Sequence, residues 1–165
     1  MWTILKIEKN HLYTLKKEFN QKLGSDYIIY SPKLLIQKYK NNKIINKKIN
    51  LLGDYIFCFH KSFEKNGKIE QLKFLKGLKY FLGGFINAQK DIEKFIKKCR
   101  ELENEDGFIT ENIFNIYKNS DYKFISGPFT GKLFQIINIQ QNKIKILMGD
   151  LKTTINKNKF LFNPA

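Results

Sequence analysis

Six lysines between positions 33 and 48 form the group whose residue type and spacing most directly favour a chemistry. They are Lys33, Lys38, Lys40, Lys43, Lys47 and Lys48, and no acidic residue lies among them. A local positive field attracts phosphate groups and speeds encounter with polyanions. Because lysine presents a point charge rather than the planar fork of arginine, this stretch suits phosphate-backbone contact better than recognition of base edges. We therefore predict that it lies near nucleic acid; the alternative is a solvated, charged hairpin.

The charge of the whole chain supports this prediction only in part. The 165 residues include 30 Lys+Arg and 15 Asp+Glu, and the formal net charge is +15. AT-rich codon usage also produces high Lys, Ile and Asn content, so the total does not identify a partner. The distribution is more informative, because residues 1–60 hold 11 lysines and 4 acidic residues whereas residues 61–106 hold 11 basic and 8 acidic ones.

The side chains that usually carry catalysis are few and isolated in this sequence. His11 and His60 are the only histidines, Cys58 and Cys99 lie in apolar patterns typical of core positions, and Asp54 has no identifiable partner. The sequence also contains no glycine-rich phosphate loop, no HExxH and no CxxC. We predict that the protein is not an enzyme and uses no cofactor or metal ion. A small nuclease, the enzymatic alternative, would need clustered carboxylates or a histidine pair.

Composition indicates a folded protein without a membrane span. Hydrophobic residues make up 42% of the chain and aromatic residues 15%, which is enough for a packed core. No uninterrupted apolar segment approaches the roughly 18–20 residues that span a bilayer, and charged residues from Lys6 onward interrupt any signal peptide. Two cysteines cannot form a disulfide framework. We expect a cytoplasmic monomer with no membrane contact.

Hydrophobic periodicity predicts the element order β-α-β-β-β-β-α-β-α over the first 102 residues. The predicted strands are 2–7, 27–30, 34–39, 44–49, 55–59 and 78–82, and the predicted helices are 12–23, 69–75 and 91–102. Strand 55–59 lacks polar alternation, so we expect it to be central and buried on both sides. This order is typical of an α+β domain, an antiparallel sheet with flanking helices.

A change of pattern near residue 103 predicts a second domain. The acidic, polar segment 103–107 resembles a linker, and four short strands follow at 122–125, 134–139, 143–147 and 152–155. Their spacing is typical of a small all-β barrel. We therefore predict domains at 1–103 and 112–165, joined by a linker at 104–111.

Two parts of the sequence resemble known domains. The segment SGPFTGK at 126–132, followed by FQIINI, a QQN turn and KIKILM, resembles a KOW motif, in which Gly131 would supply the positive φ of a tight turn. Before it, the tryptophan-containing strand, amphipathic helix, basic hairpin and LLGDYIFCF segment resemble the N-terminal domain of the NusG family. The segment KGLKYFL at 76–82 resembles a later strand of that domain. The resemblance covers nearly the whole chain in the family's order.

The resemblance implies a factor that regulates transcription elongation or antitermination. Its N-terminal domain would bind the clamp helices of RNA polymerase through an apolar pocket, and its basic hairpin would approach upstream or non-template DNA. The positions that match the polymerase-binding pocket are Trp2, Leu52, Tyr55 and Phe57. Core packing is the alternative role for these four residues.

The KOW domain of the family recruits a second partner, either a small-subunit ribosomal protein or the termination factor Rho. The positions that match its contact loop are Ile125, Phe129, Thr130 and Lys132. Two departures, Leu52-Gly53-Asp54 and KIEQ at 68–71, favour a specialised, operon-specific paralogue over the housekeeping factor. The alternative function is a KOW-type RNA-binding or ribosome-associated protein, which would need a basic, exposed barrel face.

Overall fold

A computed structural model of the protein describes residues 1–40, 43–65, 67–109 and 115–165. The side chains of residues 38–40 and 44 also lie outside this description. The segment between the predicted strands 34–39 and 44–49, the side chains of Lys38 and Lys40, and the end of the predicted linker therefore fall at least partly outside it. In the described part of the chain, no helix is long and apolar enough to cross a membrane.

The helices and strands follow the predicted order closely. The strands are β1 (Trp2–Ile7), β2 (Ile28–Tyr30), β3 (Lys33–Lys40), β4 (Lys43–Asn50), β5 (Tyr55–Phe59), β6 (Leu78–Phe81), β7 (Asp121–Phe124), β8 (Leu133–Ile139), β9 (Lys143–Met148), β10 (Leu151–Asn156) and β11 (Phe162–Pro164). The helices are α1 (Leu12–Leu23), α2 (Lys68–Leu72) and α3 (Gln89–Glu101), with a short 3-10 helix at Lys61–Glu64. The sequence did not predict β11 or the 3-10 helix, and α2 is shorter than predicted.

The chain divides into two compact units. The first unit comprises residues 1–32 and 50–98, and the second comprises residues 33–49 and 99–165. The first unit holds an antiparallel sheet with the strand order β2-β5-β1-β6 and flanking helices, whereas the second holds a five-stranded antiparallel sheet with the order β10-β9-β8-β7-β11. These two architectures confirm the predicted fold class, an α+β part and an all-β part.

The β3–β4 hairpin belongs to the second unit, although it lies in sequence between two strands of the first. The chain leaves the first unit after Pro32 and returns to it just before Leu51. The Leu51 N–H donates to the Pro32 carbonyl at 2.8 Å, which brings the two ends of the hairpin segment together. The predicted boundaries, 1–103 and 112–165, group the hairpin with the N-terminal domain, and they stay a prediction.

One face of the first sheet packs against α1. Leu15 and Phe19 of that helix are fully buried in a core that includes Leu5, Ile56 and Cys58. These strand residues alternate with others that point to the opposite face, because successive side chains of a strand lie on opposite sides. The three middle residues of β5 are all buried, which confirms the predicted central strand.

The start of α1 depends on a left-handed residue in the preceding turn and on a glycine that packs against that turn. Asn10 adopts a left-handed φ of 66°, and His11 occupies the cap position. Gly77, with φ +86°, lies against this turn, and a Cβ added there would be 2.8 Å from the His11 carbonyl oxygen. Only glycine fits this close approach without strain.

The opposite face of the first sheet packs against α3. Ile92 and Ile96 of the helix contact Trp2 and Phe57 in a second core. The side chain of Gln89 accepts a hydrogen bond from the Trp2 N–H at 2.9 Å and donates to the Trp2 carbonyl at 2.7 Å. Gln89 thereby takes the place of a neighbouring strand for these two backbone groups.

The core of the second unit is rich in aromatic rings. Phe124 of β7 and Phe134 of β8 stack with ring centres 4.2 Å apart, and Phe162 of β11 meets the Phe134 ring edge-on. Isoleucines of β8 and β9 complete this buried face. Alternate residues of β9, Lys143 and Lys145, are exposed, which is the period-2 pattern of a sheet with one buried face.

Candidate functional site

The polymerase-binding candidates lie on one face of the first sheet, but they differ in exposure. Trp2 keeps 9% of its surface exposed and Phe57 keeps 3%, and both are buried under α3. Leu52 is half-buried against the same core. The structure therefore gives Trp2 and Phe57 a packing role, and a polymerase contact by any of these residues stays a prediction.

Tyr55 lies at the open end of this sheet face, beyond the part that packs on α3. In the antiparallel ladder, Lys6 of β1 is opposite Tyr55 of β5 on one side and Tyr80 of β6 on the other. The two hydroxyl oxygens are 2.9 Å apart. The Lys6 Nζ lies 5.2 Å from the centre of the Tyr55 ring and 5.7 Å from that of Tyr80. Three polar groups thus form one hydrogen-bonded and cation–π cluster.

The cluster shifts the pKa values of its two tyrosines in opposite directions. The hydrogen bond to Tyr80 lowers the pKa of the Tyr55 hydroxyl, and the positive charge of Lys6 lowers it further. The same hydrogen bond raises the pKa of Tyr80. The charge interaction with Tyr55, followed by that with Tyr80, raises the pKa of Lys6. The ammonium therefore stays charged on an otherwise aromatic surface.

Apolar surface continues from this cluster along β6. Tyr80 is 42% exposed and Leu82 is 38% exposed, and the Leu82 N–H donates to the Ile4 carbonyl at 2.8 Å. We call Lys6, Tyr55, Tyr80 and Leu82 the tyrosine patch. Of these four residues, only Tyr55 was predicted from the sequence. The alternation in KYFL, where Phe81 packs inward, is the signal that could have located Tyr80 and Leu82.

The described lysines of the hairpin are exposed, as a nucleic-acid-proximal role requires. Lys33, Lys43, Lys47 and Lys48 all point into solvent. Lys48 Nζ lies 5.0 Å from the centre of the Phe108 ring, so this lysine also packs on the second unit. That the hairpin lies near nucleic acid stays a prediction.

Backbone and side-chain hydrogen bonds fix the hairpin to the rest of the second unit. The Ile109 N–H donates to the Lys33 carbonyl at 2.8 Å, and the Gln37 N–H donates to the Ile125 carbonyl at 2.8 Å. The Gly127 N–H donates to Gln37 Oε1 at 2.8 Å. The hairpin thus joins the loop that resembles the KOW motif, which sequence reasoning did not predict.

The loop itself has the predicted turn geometry. Gly127 and Gly131 have φ values of +81° and +87°, in the left-handed region that favours glycine. Thr130 donates to the Gly127 carbonyl through both its N–H, at 3.1 Å, and its Oγ1, at 2.7 Å. The Gly131 N–H then donates to the Phe124 carbonyl at 2.8 Å, which anchors the turn on β7.

The four partner-binding candidates of this loop have different surroundings. Phe129 is half-buried, with its ring centre 5.6 Å from that of Phe124, so it contributes to the core more than the expected exposed loop tip would. Ile125 is half-buried and Lys132 is exposed. Recruitment of a partner by Phe129, Thr130, Ile125 or Lys132 stays a prediction.

The histidines and cysteines make contacts typical of residues that stabilise the fold. His11 pairs with Glu8 at 2.9 Å, and His60 caps the 3-10 helix by accepting from the Ser62 N–H. Cys58 and Cys99 are buried, as their apolar patterns predicted, and burial raises the pKa of Cys58 to about 12. Within the described ranges, no three His, Cys, Asp or Glu side chains gather in a way that could hold a metal ion.

Comparisons with known proteins find similarity only among solved structures. No protein-family model matches the chain, and no curated protein matches it. The 22 matching chains of solved structures include MjSpt4:Spt5 complexes and NusG of Thermotoga maritima.

Three of these matches extend over nearly the full length of both chains. The MjSpt4:Spt5 complex in conformation B is 14% identical, with 100% of this chain and 98% of that chain covered and a TM-score of 0.33. The same complex in conformation A is 14% identical, with 99% of each chain covered and a TM-score of 0.35. The structure of Thermotoga maritima NusG is 13% identical, with 96% and 93% covered and a TM-score of 0.38.

Proposed function

We propose that this protein is a NusG-like transcription elongation and antitermination factor. It binds RNA polymerase through its first unit and recruits a second partner through its second unit. The observation that carries the proposal is the loop at 126–132. In this loop, Gly131 has the left-handed φ that the resemblance to a KOW motif predicts, and Gly127 is left-handed as well. The loop belongs to an all-β sheet that follows an α+β part in the chain.

The tyrosine patch is the part of the first unit best suited to a polymerase contact. It exposes two apolar side chains, Tyr80 and Leu82, next to the predicted contact residue Tyr55. Exposed apolar groups that lie together are typical of protein interaction sites, because a partner removes them from water. Trp2 and Phe57 would support this surface from below, since they are buried on the same sheet face.

The exposed lysines of the hairpin support the nucleic-acid part of the proposal. Lys43 and Lys47 are exposed and no acidic residue lies among the hairpin residues. Contacts from lysines to phosphates are strong and independent of sequence, and such contacts suit upstream or non-template DNA beside a polymerase. The second partner, a small-subunit ribosomal protein or Rho, would bind at the loop that carries Phe129 and Lys132.

A pull-down with core RNA polymerase tests the proposal. We expect the wild-type protein to retain polymerase and the double variant Tyr80→Ala/Leu82→Ala to retain it at least about tenfold more weakly, because interface aromatic residues typically contribute about 2 kcal/mol or more. Tyr13→Ala is the matched control, since Tyr13 is also an exposed tyrosine of the first unit.

Two outcomes would contradict the proposal. One is that the wild-type protein retains no polymerase, which would favour the alternative of an RNA-binding or ribosome-associated protein. The other is that Tyr13→Ala weakens binding as much as the double variant, which would remove the tyrosine patch as the contact surface. Circular dichroism of each variant confirms that the fold is retained.

A further inference from the structure

The tyrosine patch contains a positive charge that has no negative partner in the part of the chain that the structure describes. Lys6 forms none of the ion pairs there, and the next acidic residue along the chain, Glu8, pairs with His11 at 2.9 Å. Asp54, which precedes Tyr55, contributes to none of the pKa shifts of the cluster. The ammonium of Lys6 is therefore available to an anion from another molecule.

The register of the first sheet holds this ammonium in one place. Lys6 is directly opposite Tyr55 on one neighbouring strand and Tyr80 on the other, so the three side chains extend from the same face of the sheet. The Lys6 Nζ rests 5.2 Å and 5.7 Å from the centres of the two rings. A lysine held in this way loses less side-chain entropy on binding than one that is free in solvent. The charge is thus pre-organised for a ligand.

The two phenol groups place a further hydrogen-bond donor beside the ammonium. The hydroxyl oxygens of Tyr55 and Tyr80 are 2.9 Å apart, so one hydroxyl donates to the other. The hydrogen of the accepting hydroxyl is not used in this contact, because each phenol carries one hydrogen. The three N–H groups of Lys6 lie next to it. A carboxylate, whose two oxygens only accept hydrogen bonds, complements such a group of donors.

The surroundings of this cluster are apolar, which favours a protein ligand over a nucleic acid. The adjacent pair of residues on the same sheet face is Ile4 and Phe57, and the exposed residue Leu82 bonds to the backbone of Ile4. Binding to nucleic acid depends on several cations along the phosphates, whereas Lys6 is the only cation of the four residues in the tyrosine patch. A protein segment that carries Asp or Glu beside an apolar residue matches both the charge and the apolar surface.

We propose that Lys6 and the two tyrosine hydroxyls bind a carboxylate side chain of the partner protein. The carboxylate accepts from the Lys6 ammonium and from one phenol O–H, and an adjacent apolar side chain of the partner covers Tyr80 and Leu82. A basic partner surface is repelled, and an apolar one leaves the ammonium without a counter-charge, so Lys6 selects an acidic surface. The inference rests on the proposed function, which makes RNA polymerase the partner of this patch, and it identifies the residue type on the polymerase side.

Equilibrium binding of the full-length protein to core RNA polymerase tests this inference. The polymerase is kept free of nucleic acid, so that no phosphate can replace the carboxylate. We expect Lys6→Met to weaken binding about tenfold, because a hydrogen bond between charged groups is lost. Lys6→Arg keeps the charge and should retain most of the affinity. Lys16→Met is the matched control, because it removes an equal charge from α1, which packs on the opposite face of the sheet.

A second variant separates the tyrosine hydroxyls from the tyrosine rings. Tyr55→Phe/Tyr80→Phe keeps both rings and removes both hydroxyl groups. We expect it to weaken binding at least about threefold, because a neutral hydrogen bond to the carboxylate is lost. Salt provides an independent measurement: between about 50 mM and about 300 mM, the affinity of the wild type should fall more steeply than that of Lys6→Met.

Crosslinking with a carbodiimide identifies the ligand directly, because this reagent joins an amine to a carboxyl group that touches it. We expect mass spectrometry of the treated complex to find Lys6 joined by an amide bond to an Asp or Glu side chain of the polymerase. Lys6→Arg should still bind and should lose this crosslink, since a guanidinium group does not react. The wild-type crosslink decides the question even if Lys6→Met fails to fold.

Three results would overturn the inference. These are wild-type affinity in both Lys6→Met and Tyr55→Phe/Tyr80→Phe, an equal loss of affinity in Lys16→Met, and a wild-type complex in which other lysines of the first unit form crosslinks and Lys6 forms none. A loss in Lys6→Met that appears only when the polymerase carries a DNA–RNA scaffold would also overturn it, because the ligand would then be a phosphate.

The same measurements distinguish the two levels of the proposal. If the wild type binds no polymerase, the proposed function fails and the carboxylate site fails with it. If the wild type binds polymerase and the variants of Lys6 and the two tyrosines bind equally well, only the carboxylate site fails. Circular dichroism of each variant checks that the fold is retained.

Discussion

At the scale of single residues, burial determines which side chains can ionise and react at neutral pH. Cys58 lies on the central strand of the first sheet and has no exposed surface. Burial raises the pKa of its thiol from 9.0 to about 12, since the thiolate would lose its hydration. A thiol that stays protonated at neutral pH is a poor nucleophile.

This pKa makes stability depend on pH in a predictable direction. The unfolded thiol ionises near pH 9.0 and the folded one near 12, so the stabilisation by the protonated thiol is complete below pH 9 and is lost as the pH rises toward 12. We expect the stability advantage of the wild type over Cys58→Ala to fall by about 1 kcal/mol between pH 9 and pH 10. Urea unfolding of both proteins at the two pH values measures it. An unchanged difference would contradict the pKa.

The candidate site could be predicted from the sequence only in part. Tyr55 and Phe57 were predicted together only from the resemblance of the segment LLGDYIFCF to the pocket-lining strand of the NusG N-terminal domain. Which of them is exposed depends on α3, which covers Phe57 and not Tyr55. That packing is a long-range contact, so no local pattern contains it. Lys6 and Tyr80 were missed for the same reason, since the sheet register brings them beside Tyr55.

At the scale of elements, local signals predicted the strands and helices well. The hydrophobic period and the glycine that follows the helix, Gly24, fix α1, whose bounds are those predicted. The strand β11 was missed because its three residues, FNP, are too few to show an alternation and include a proline. Its pairing with β7 and the aromatic contact of Phe162 stabilise it instead.

Gly77 is the glycine on which the start of α1 depends most. Replacement by alanine would strain a left-handed backbone and bring a Cβ to 2.8 Å from the His11 carbonyl oxygen. We expect Gly77→Ala to lower the free energy of unfolding by about 1–3 kcal/mol. Gly83→Ala is the matched control, because Gly83 has no positive φ and no atom within 4 Å of an added Cβ.

Thermal unfolding followed by circular dichroism compares the two variants. A transition of Gly77→Ala within the error of the Gly83→Ala transition would show that the turn before α1 tolerates a side chain. In that case the close approach to His11 would not be the reason for glycine at this position.

At the scale of the whole molecule, the positive charge is shared evenly between the two units. Counted over the sequence, the first unit holds 15 basic and 8 acidic residues, and the second holds 15 basic and 7 acidic residues. The hairpin supplies six of the basic residues of the second unit and none of its acidic ones. The segment with the strongest positive field thus belongs to the unit that carries the KOW-like loop. That unit therefore combines the hairpin proposed to lie near nucleic acid with the loop proposed to bind the second partner.

This grouping could not be read from the order of residues along the chain. The hairpin lies between β2 and β5, which are neighbours in the first sheet, and a sequence-based division therefore keeps all three together. The structure instead joins it to residues about 70–90 positions later, through the hydrogen bonds from Ile109 to Lys33 and from Gly127 to Gln37. These contacts are few: two hydrogen bonds and the pairing of Leu34 with Ile109. They produce no repeating hydrophobic pattern in the sequence from which the grouping could be predicted.

Native-state hydrogen exchange tests whether the hairpin shares the stability of the second unit. Ile144 and Ile56 are matched core isoleucines, the first in the second unit and the other in the first, both with at most 1% exposure. Each Ile→Val change should destabilise its own unit by about 0.5–1.5 kcal/mol and speed opening of that unit by about two- to tenfold.

We expect peptides that cover residues 33–40 to exchange faster in Ile144→Val and at the wild-type rate in Ile56→Val. Because the Gln37 N–H is bonded to Ile125, its protection can fall only when that contact opens. If exchange in this segment instead follows Ile56→Val, the hairpin is energetically part of the first unit.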